Sequence, residues 1–436
     1  MERTSSDSGF LNLSDPAVQA KLRPTAIAVC FVLFFISVSG ILLTLPLAGK
    51  GHVDFRHLYT AGYMVRTGHA ADVYDYGLYE RFQNELVGPA AGALPFNHLA
   101  YEALVYVPFS FLSYRHAYFV FLAANLLILA GAIRIVRPLL APLAQVWSFL
   151  PIAIVACFLP VAIALIEGQD SIILLALFAG SFLAVYRQQD LKAGILLGLT
   201  LFKFQYALPF VLLCLVWRRW RFVAGFAISG ASVVAASVRL TGLAGLVAYS
   251  RSILAMSAKY SSASGLLYGI HLDGMPNLRG LAYMITGGSV SATHWIVLVS
   301  SAVVMIWAAL KGPSLPGALL AVLLVSYHQV IADTSLLILP IGLFLVHGLS
   351  HPGSRKNNLA AAFACFALVS PTILLFAGTR FYLGALPVIA MFVLWGWKTP
   401  SPKDFRDSGR CQQTDTNLSP DLCAEWPRLA ALLQIY

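Results

Sequence analysis

A short polar cluster follows the first long apolar segment of the chain, and its residue types could do chemistry. In Gly51-His52-Val53-Asp54-Phe55-Arg56-His57, one carboxylate lies among two histidines and an arginine. Ionisable groups beside hydrocarbon are costly unless they are paired or functional. The cluster therefore predicts chemistry at the membrane surface, where a positioned carboxylate can act as a general base. Two simpler interpretations of Asp54 are a helix cap and a pair with Arg56.

More polar residues occur at the ends of later apolar segments, on what we predict to be the same side of the membrane. Lys203 could instead extend towards lipid head groups, and Gln169 with Asp170 could cap a helix. His328 could be structural, and Asn277 could form a turn. Polar residues with unrelated structural roles would not be expected to lie all on the same side of the membrane. We therefore expect these residues to line a common pocket. The residues on that side are Asp54, Gln169, Asp170, Lys203, Gln205, Asn277, Arg279, His328 and Asp333.

The elements that position these residues are predicted to be membrane helices. Hydrophobic residues make up 59% of the 436 residues and charged residues only 11%, which is typical of an all-α polytopic membrane protein. Apolar segments predict about 11–13 transmembrane helices, beginning with Ile27–Leu45, which we interpret as a retained span. A β-barrel pattern of short alternating segments is absent from the sequence.

Three regions follow from this pattern, the second of which contains two long loops. We predict a cytoplasmic segment at residues 1–24, a transmembrane domain at 25–398 and a cytoplasmic tail at 399–436. Two long outer loops, at about 47–97 and 242–293, contain Tyr-rich amphipathic stretches that predict interfacial helices.

The formal net charge of +10 indicates orientation in the membrane rather than nucleic-acid binding. The basic residues cluster in short connections such as Arg218-Arg219-Trp220-Arg221, which the positive-inside rule places in the cytoplasm. The six cysteines show neither metal-ligand spacing nor partnering histidines, so disulfides and structural zinc are not expected.

Several short motifs follow one another in a fixed order along the chain. They are Asp54-Phe55-x-x-Leu58-Tyr59, Gly68, Val73-Tyr74-Asp75, Gly168-Gln169, Ala193-Gly194 with Gly198, Lys203, Arg218-Arg219-Trp220-Arg221, Asn277 and His328. Their order and spacing resemble bacterial GT-C-type membrane glycosyltransferases, and more narrowly the branch of polyprenyl-phosphate-mannose-dependent α-mannosyltransferases. The resemblance extends from about Asp54 to Pro340. At one point the family commonly has a Pro-Pro pair where this chain has Phe96-Asn97-His98.

The resemblance implies transfer of a hexose, with mannose expected, from a polyprenyl-phosphate donor to a lipid or glycan acceptor. The reaction would take place on the outer face of the plasma membrane, with Asp54 as general base. It would invert the configuration at the anomeric carbon. No cofactor and no metal are expected, and the partners are the two substrates and membrane lipids. Donor phosphate would be bound by Lys203, Arg279 and His328, and substrate by His57, Tyr59, Gln169 and Asn277.

Other classes of protein remain open at this point. A secondary transporter would place its charged residues near the bilayer midplane, often on broken helices in corresponding halves. A non-catalytic assembly protein would leave the polar residues without a role. A different lipid-linked transferase, such as a glycan ligase with a diphosphate donor, is a further alternative.

Overall fold

A computed structural model describes residues 16–89, 93–258, 272–350 and 355–395, and every regular element in these ranges is a helix. The tail predicted at 399–436 and most of the segment predicted at 1–24 lie outside them. The α-helices are α1 Pro16–Ala48, α2 Phe55–Arg66, α3 Tyr76–Val87, α4 Ala103–Tyr106, α5 Tyr114–Val136, α6 Leu150–Ala156, α7 Leu159–Ile166, α8 Ser171–Tyr186, α9 Asp190–Gly198, α10 Phe204–Val216, α11 Trp220–Ala258, α12 Leu278–Ile285, α13 Val290–Lys311, α14 Leu315–Val325, α15 Ile338–Ser350, α16 Arg355–Phe376 and α17 Ala385–Leu394.

Short 3₁₀ helices connect many of these elements. They are Ala70–Asp72, Ala100–Glu102, Pro108–Phe111, Arg137–Gln145, Leu201–Lys203, Leu272–Gly274, Ile331–Leu337 and Phe381–Gly384.

Six helical stretches are long and apolar enough to cross a membrane, and the pair α9–α10 reaches the same length and hydropathy only when its two bent halves are taken together. The polytopic all-α class is confirmed, but the described residues give fewer full-length spans than the 11–13 predicted. Prolines and polar residues break several apolar segments into short helices. Leu99–Leu112, for example, contains only α4 and two 3₁₀ helices, and α8, α14 and Phe381–Leu394 are too short for a full-length span.

Burial separates a protein-enclosed core from lipid-facing helices. Helix α14 is buried along almost its whole length, from Leu315 to Leu324, as expected for a helix that is apolar on every face. Helices α1, α5 and α13 instead expose large apolar side chains such as Leu43, Leu127 and Leu310. Such surfaces are stable in hydrocarbon, so these helices form the periphery.

The predicted loops contain much regular structure. In the first, α2 and α3 account for about half of the residues, and Asp75 caps α3 by accepting from the Leu78 amide at 3.1 Å. In the second, helix continues to Ala258, although Gly242 interrupts it with a φ of 71° and a ψ of 175°. The boundary predicted at 242 is therefore a kink inside α11.

The bent pair α9–α10 turns through 63° near Lys203. Arg219, just after α10, bonds Asp190 at the start of α9 through two contacts of 2.5 and 3.0 Å. This ion pair joins the two ends of the segment, and Lys203 lies at the bend between them.

Close packing of α9 on α11 fixes this apex. A Cβ atom on Gly194 would lie 1.9 Å from the Phe222 carbonyl oxygen, and one on Gly225 would lie 2.1 Å from the Leu191 oxygen. Small residues permit this approach of two helix backbones, as they do in many membrane bundles.

Candidate active site

One cavity of about 650 Å³, counting the space open to solvent, collects residues that are far apart in the sequence. Five of the predicted site residues line it, namely Asp54, His57, Gln169, Lys203 and His328. The structure therefore brings these five residues together around one cavity. The remaining lining residues are Asn97, His98, Phe202, Phe204, Gln205, Ile253, Tyr327, Val330 and Asp333.

Asp54 lies directly before α2 and turns its carboxylate towards this cavity. It makes no side-chain cap to the helix, and no ion pair with Arg56 is found among the described residues. Its Oδ2 instead accepts a hydrogen bond from Gln169 Nε2. Both simpler interpretations of this residue are thus set aside.

The backbone turn at Gly168 places the side chain of Gln169 next to Asp54. Gly168 has a φ of 59°, and a Cβ there would lie 2.7 Å from the Cβ of Phe55. Only glycine adopts this conformation freely and allows so close an approach. The neighbouring backbone is tied as well, because the Phe55 amide donates to the Glu167 carbonyl at 2.9 Å.

Burial raises the pKa of Asp54 to about 6, although the charge of Lys203 and the hydrogen bond from Gln169 oppose this shift. Glu167 is an immediate neighbour: its carboxylate accepts the Asp54 amide at 3.2 Å. Burial also raises the pKa of Glu167 to about 7. A carboxylate with a pKa near 6 is basic enough to accept a proton and still largely ionised at neutral pH.

Lys203 is buried at the centre of the polar cluster, with 3% of its surface exposed, and does not extend to the surface. Its Nζ lies 2.6 Å from Asp170 Oδ1 and also contacts Asp333 Oδ1. It further donates to Ser171 at 3.2 Å and to Gln169 Oε1 at 3.5 Å. Two carboxylates thus already share the positive charge of this ammonium group.

Around Asp333, further groups complete the network. Ser171 Oγ donates to Asp333 Oδ1 at 2.6 Å, and the Tyr206 hydroxyl donates to Oδ2 at 2.9 Å. The carboxylate is therefore well satisfied, as a buried charge requires.

His98 and Glu102 form a second buried pair beside Asp170. His98 Nδ1 contacts Glu102 Oε2 and lies 3.4 Å from Asp170 Oδ2. Burial raises the pKa of Glu102 to about 7. Burial lowers the pKa of His98, but the two carboxylates outweigh it, and the net shift is upward.

Ligand atoms of His98, Glu102 and Asp170 lie within 4.8 Å of one another, so this trio could hold a metal ion. The Lys203 ammonium already lies against Asp170 and supplies a positive charge at the same place. Our prediction of no metal remains a prediction.

Two histidines in the cavity have a ring nitrogen without a hydrogen-bond partner. These atoms are Nδ1 of His57 and Nδ1 of His328. Burial lowers the pKa of His57 to about 3 and that of His328 to about 4. Both imidazoles are therefore neutral at pH 7, and the unpartnered Nδ1 of each ring is enclosed by the protein.

Three predicted site residues do not line this cavity. The Tyr59 hydroxyl donates to the Leu112 carbonyl at 2.7 Å. Asn277 caps α12 and donates to the Ser326 carbonyl at 2.9 Å. Arg279 donates to the Tyr327 carbonyl at 2.6 Å and lies over the Tyr327 ring, on the border of a different cavity.

Sequence patterns assign no role to several charged members of the cluster. They leave Glu102 without a function, and they place Asp170 and Asp333 by position alone. His98 could have been found from the polar triplet Phe96-Asn97-His98 at the start of an apolar segment. The ion pairs among these residues depend on contacts between distant segments, which no local pattern encodes.

The fold and the site define a polytopic membrane protein with a buried, charged cavity, an arrangement that serves function more than stability. Residues 101–340 match glycosyltransferase family 87, and the chain belongs to this family. It is therefore a membrane glycosyltransferase. No curated protein and no solved structure gives a significant match to the chain.

Proposed function

We propose that this protein transfers a hexose, with mannose as the first candidate, from a polyprenyl-phosphate donor to a lipid or glycan acceptor. The reaction takes place on the outer face of the plasma membrane and inverts the configuration at the anomeric carbon. The observation that carries the proposal is the Asp54 carboxylate, which faces the shared cavity and has a pKa of about 6.

Asp54 serves as the general base in this mechanism. The acceptor hydroxyl gives its proton to Asp54 while its oxygen forms a bond to the anomeric carbon. The bond from that carbon to the phosphate oxygen breaks, and its electron pair leaves with the polyprenyl phosphate. Gln169 keeps the carboxylate in place through its amide nitrogen.

His328 is the first candidate to bind the departing phosphate. Its ring lines the cavity and forms no ion pair among the described residues, whereas the ammonium of Lys203 is occupied by Asp170 and Asp333. A dianionic phosphate beside His328 favours the protonated ring and so forms a charge-assisted hydrogen bond. Lys203 contributes a positive field and fixes Gln169, and Arg279 supports the Tyr327-His328 segment.

A transfer assay in membranes with decaprenyl-phosphate mannose as donor tests this function. We expect Asp54→Asn to lower turnover by at least about 100-fold, the usual contribution of a positioned base. The matched control is Asp72→Asn, which alters a half-exposed aspartate outside the cavity. Undiminished turnover in Asp54→Asn would show that Asp54 is not the general base.

Mass spectrometry of membrane glycolipids from cells with and without the gene tests the sugar and the acceptor. Loss of a single hexose from one glycolipid or surface-glycan class is expected. An unchanged glycolipid and glycan profile would contradict the proposal.

A further inference from the structure

His98 lines the main cavity but has no part in the proposed transfer so far. It is buried, with 10% of its side chain exposed. Its carbonyl oxygen accepts a hydrogen bond from the Tyr74 hydroxyl at 2.7 Å. The backbone of this residue therefore has a fixed position in the cavity wall.

The two nitrogens of the His98 ring have different surroundings. Nδ1 contacts Glu102 Oε2 and lies 3.4 Å from Asp170 Oδ2. Nε2 makes no hydrogen bond within the part of the chain that the structure describes. It also does not belong to the enclosed polar atoms without a partner, which include Nδ1 of His57 and of His328. Nε2 is therefore the nitrogen that a molecule in the cavity can reach.

The two carboxylates beside Nδ1 determine what Nε2 can do. An ionised carboxylate only accepts hydrogen bonds, so Glu102 and Asp170 favour a proton on Nδ1. With that proton in place, Nε2 is an acceptor in the neutral ring and a donor in the charged ring. A ligand group that binds both forms of His98 must be able to donate and to accept.

A hydroxyl group meets this requirement, whereas an ionised phosphate does not. A hydroxyl donates one hydrogen bond and accepts two, but an ionised phosphate oxygen only accepts. The carboxylates of Glu102 and Asp170 would also repel a phosphate at this position. The ammonium of Lys203 is already shared by Asp170 and Asp333. The surroundings of His98 thus favour a neutral hydroxyl over an anion.

Neighbouring side chains extend this part of the cavity wall. Asn97 lines the cavity, and its side-chain amide makes no hydrogen bond among the described residues, so it offers a donor and an acceptor. Phe202 lines the cavity as well, with its ring centroid 6.3 Å from that of His98. A few polar groups beside an aromatic ring fix the orientation of a small ligand in a pocket.

We propose that His98 binds one hydroxyl of the transferred sugar through Nε2 and so selects the donor by that hydroxyl. The assignment to the donor sugar rests on the proposed function, in which the anomeric carbon lies between Asp54 and the phosphate at His328. All three residues line one cavity. Glu102 is a positioning residue, because its contact with Nδ1 holds the ring and leaves Nε2 for the sugar.

Donors that lack single hydroxyls test this contact. The probes are decaprenyl-phosphate mannose and its 2-, 3-, 4- and 6-deoxy analogues, and kcat/KM is measured for the full-length protein in membranes. We expect one deoxy donor to lose at least about tenfold with the wild-type protein, because a site that binds a hydroxyl rejects the analogue without it.

Two variants at this position separate sugar binding from structure. In His98→Asn, the amide nitrogen takes about the place of Nδ1 and keeps the contact with Glu102, but nothing replaces Nε2. We expect a melting temperature close to that of the wild type and a kcat/KM at least about tenfold lower with the full donor. The sensitive deoxy donor should cause no further loss in this variant, since the two changes remove the same contact.

His98→Gln is the complementary variant, because its amide nitrogen takes about the place of Nε2. It should recover part of the activity, together with the sensitivity to the same deoxy donor. A histidine that acts only through its structure would give the opposite order, with His98→Asn the more active variant.

The matched control is His69→Gln. His69 also lies beside a carboxylate, with Nδ1 3.6 Å from Asp72 Oδ2, but both side chains are about half exposed and lie outside the cavity. This variant should keep the wild-type kcat/KM with every donor.

Equal losses with each deoxy donor in wild type and His98→Asn would overturn the subsite. The rise in melting temperature that each donor causes is a second readout, which needs no transfer. Wild-type protein that is stabilised by the donor but transfers no sugar contradicts the proposed function, and the rise then tests the contact at His98. Transfer of mannose without any coupling between His98 and a hydroxyl contradicts the subsite alone. Neither stabilisation nor transfer would overturn both.

Discussion

The side-chain amide of Gln169 donates to the carboxylate of Asp54, which comes from a segment more than a hundred residues earlier in the chain. The other end of the same amide accepts from Lys203 Nζ at 3.5 Å. Lys203 thus fixes which end of the amide faces Asp54, and the donor end must point to the carboxylate.

This relationship predicts the pH dependence of the reaction. Asp54 acts as a base only when ionised, so kcat/KM should rise with pH through about 6, the pKa set mainly by burial. Gln169→Met removes a hydrogen bond that lowers this pKa, so the rise should move to higher pH. A pH profile of kcat/KM for both proteins measures the shift.

Gln205→Met is the control for this profile, because Gln205 also lines the cavity but donates to the His328 carbonyl instead of to Asp54. Its profile should keep the midpoint of the wild type. A Gln169→Met profile with an unchanged or lower midpoint would contradict the role of Gln169.

Sequence reasoning found the parts of the site that depend on short motifs. Asp54, Gln169, Lys203 and His328 each follow or interrupt an apolar segment, so their common level in the membrane could be predicted. Their partners could not be predicted in the same way. The pairing of Lys203 with both Asp170 and Asp333 depends on the packing of three segments, and the enclosure of Arg56 depends on tyrosines from two other helices.

The number of full spans was predicted less well, for a physical reason. Hydropathy identifies apolar residues but does not show whether lipid or protein surrounds them. Helix α14 is apolar because it is enclosed by protein, and α1 is apolar because much of its surface is exposed towards lipid.

Gly168 provides a test of the backbone turn that positions Gln169. Gly168→Ala adds a Cβ at 2.7 Å from Phe55 in a conformation with a φ of 59°, which costs about 1–2 kcal/mol before any displacement. We expect a lower melting temperature and at least about a tenfold loss of turnover, since small misplacements of reacting groups are costly. Thermal unfolding and the transfer assay measure both effects.

Gly131→Ala is the matched control for this substitution. Gly131 lies in α5, and no atom lies within 4 Å of the place that its added methyl group would take, so alanine there should leave turnover unchanged. It should also stabilise the helix slightly, by up to about 1 kcal/mol. Equal losses in both variants would contradict a specific role of the Gly168 turn.

The buried charges around Lys203 predict that its replacement causes a large and pH-dependent loss of stability. Lys203→Met leaves Asp170 and Asp333 without their shared cation, and removal of one partner from a buried ion pair costs about 3–5 kcal/mol. The difference in melting temperature from wild type should narrow as the pH falls, because burial raises the pKa of Asp170 once the opposing charge of Lys203 is removed, and a protonated carboxyl group needs no cation. Thermal unfolding between pH 5 and pH 8 measures this trend.

For comparison, Lys50→Met replaces an exposed lysine near the end of α1. Its melting temperature should stay close to that of the wild type at every pH. A Lys203→Met protein with wild-type stability would show that the two carboxylates do not depend on this ammonium group.

We predict that His328 contributes to the affinity for the phosphate product. With geranylgeranyl phosphate as the probe, His328→Gln should weaken binding by about 10–100-fold, the range for a hydrogen bond to a charged group. Binding to the full-length protein in detergent can be followed by isothermal titration calorimetry.

His116→Gln is the control, because this histidine contacts Ser113 at the start of α5, outside the cavity. If His328→Gln binds the probe as tightly as wild type, the phosphate lies elsewhere, and Lys203 becomes the next residue to test.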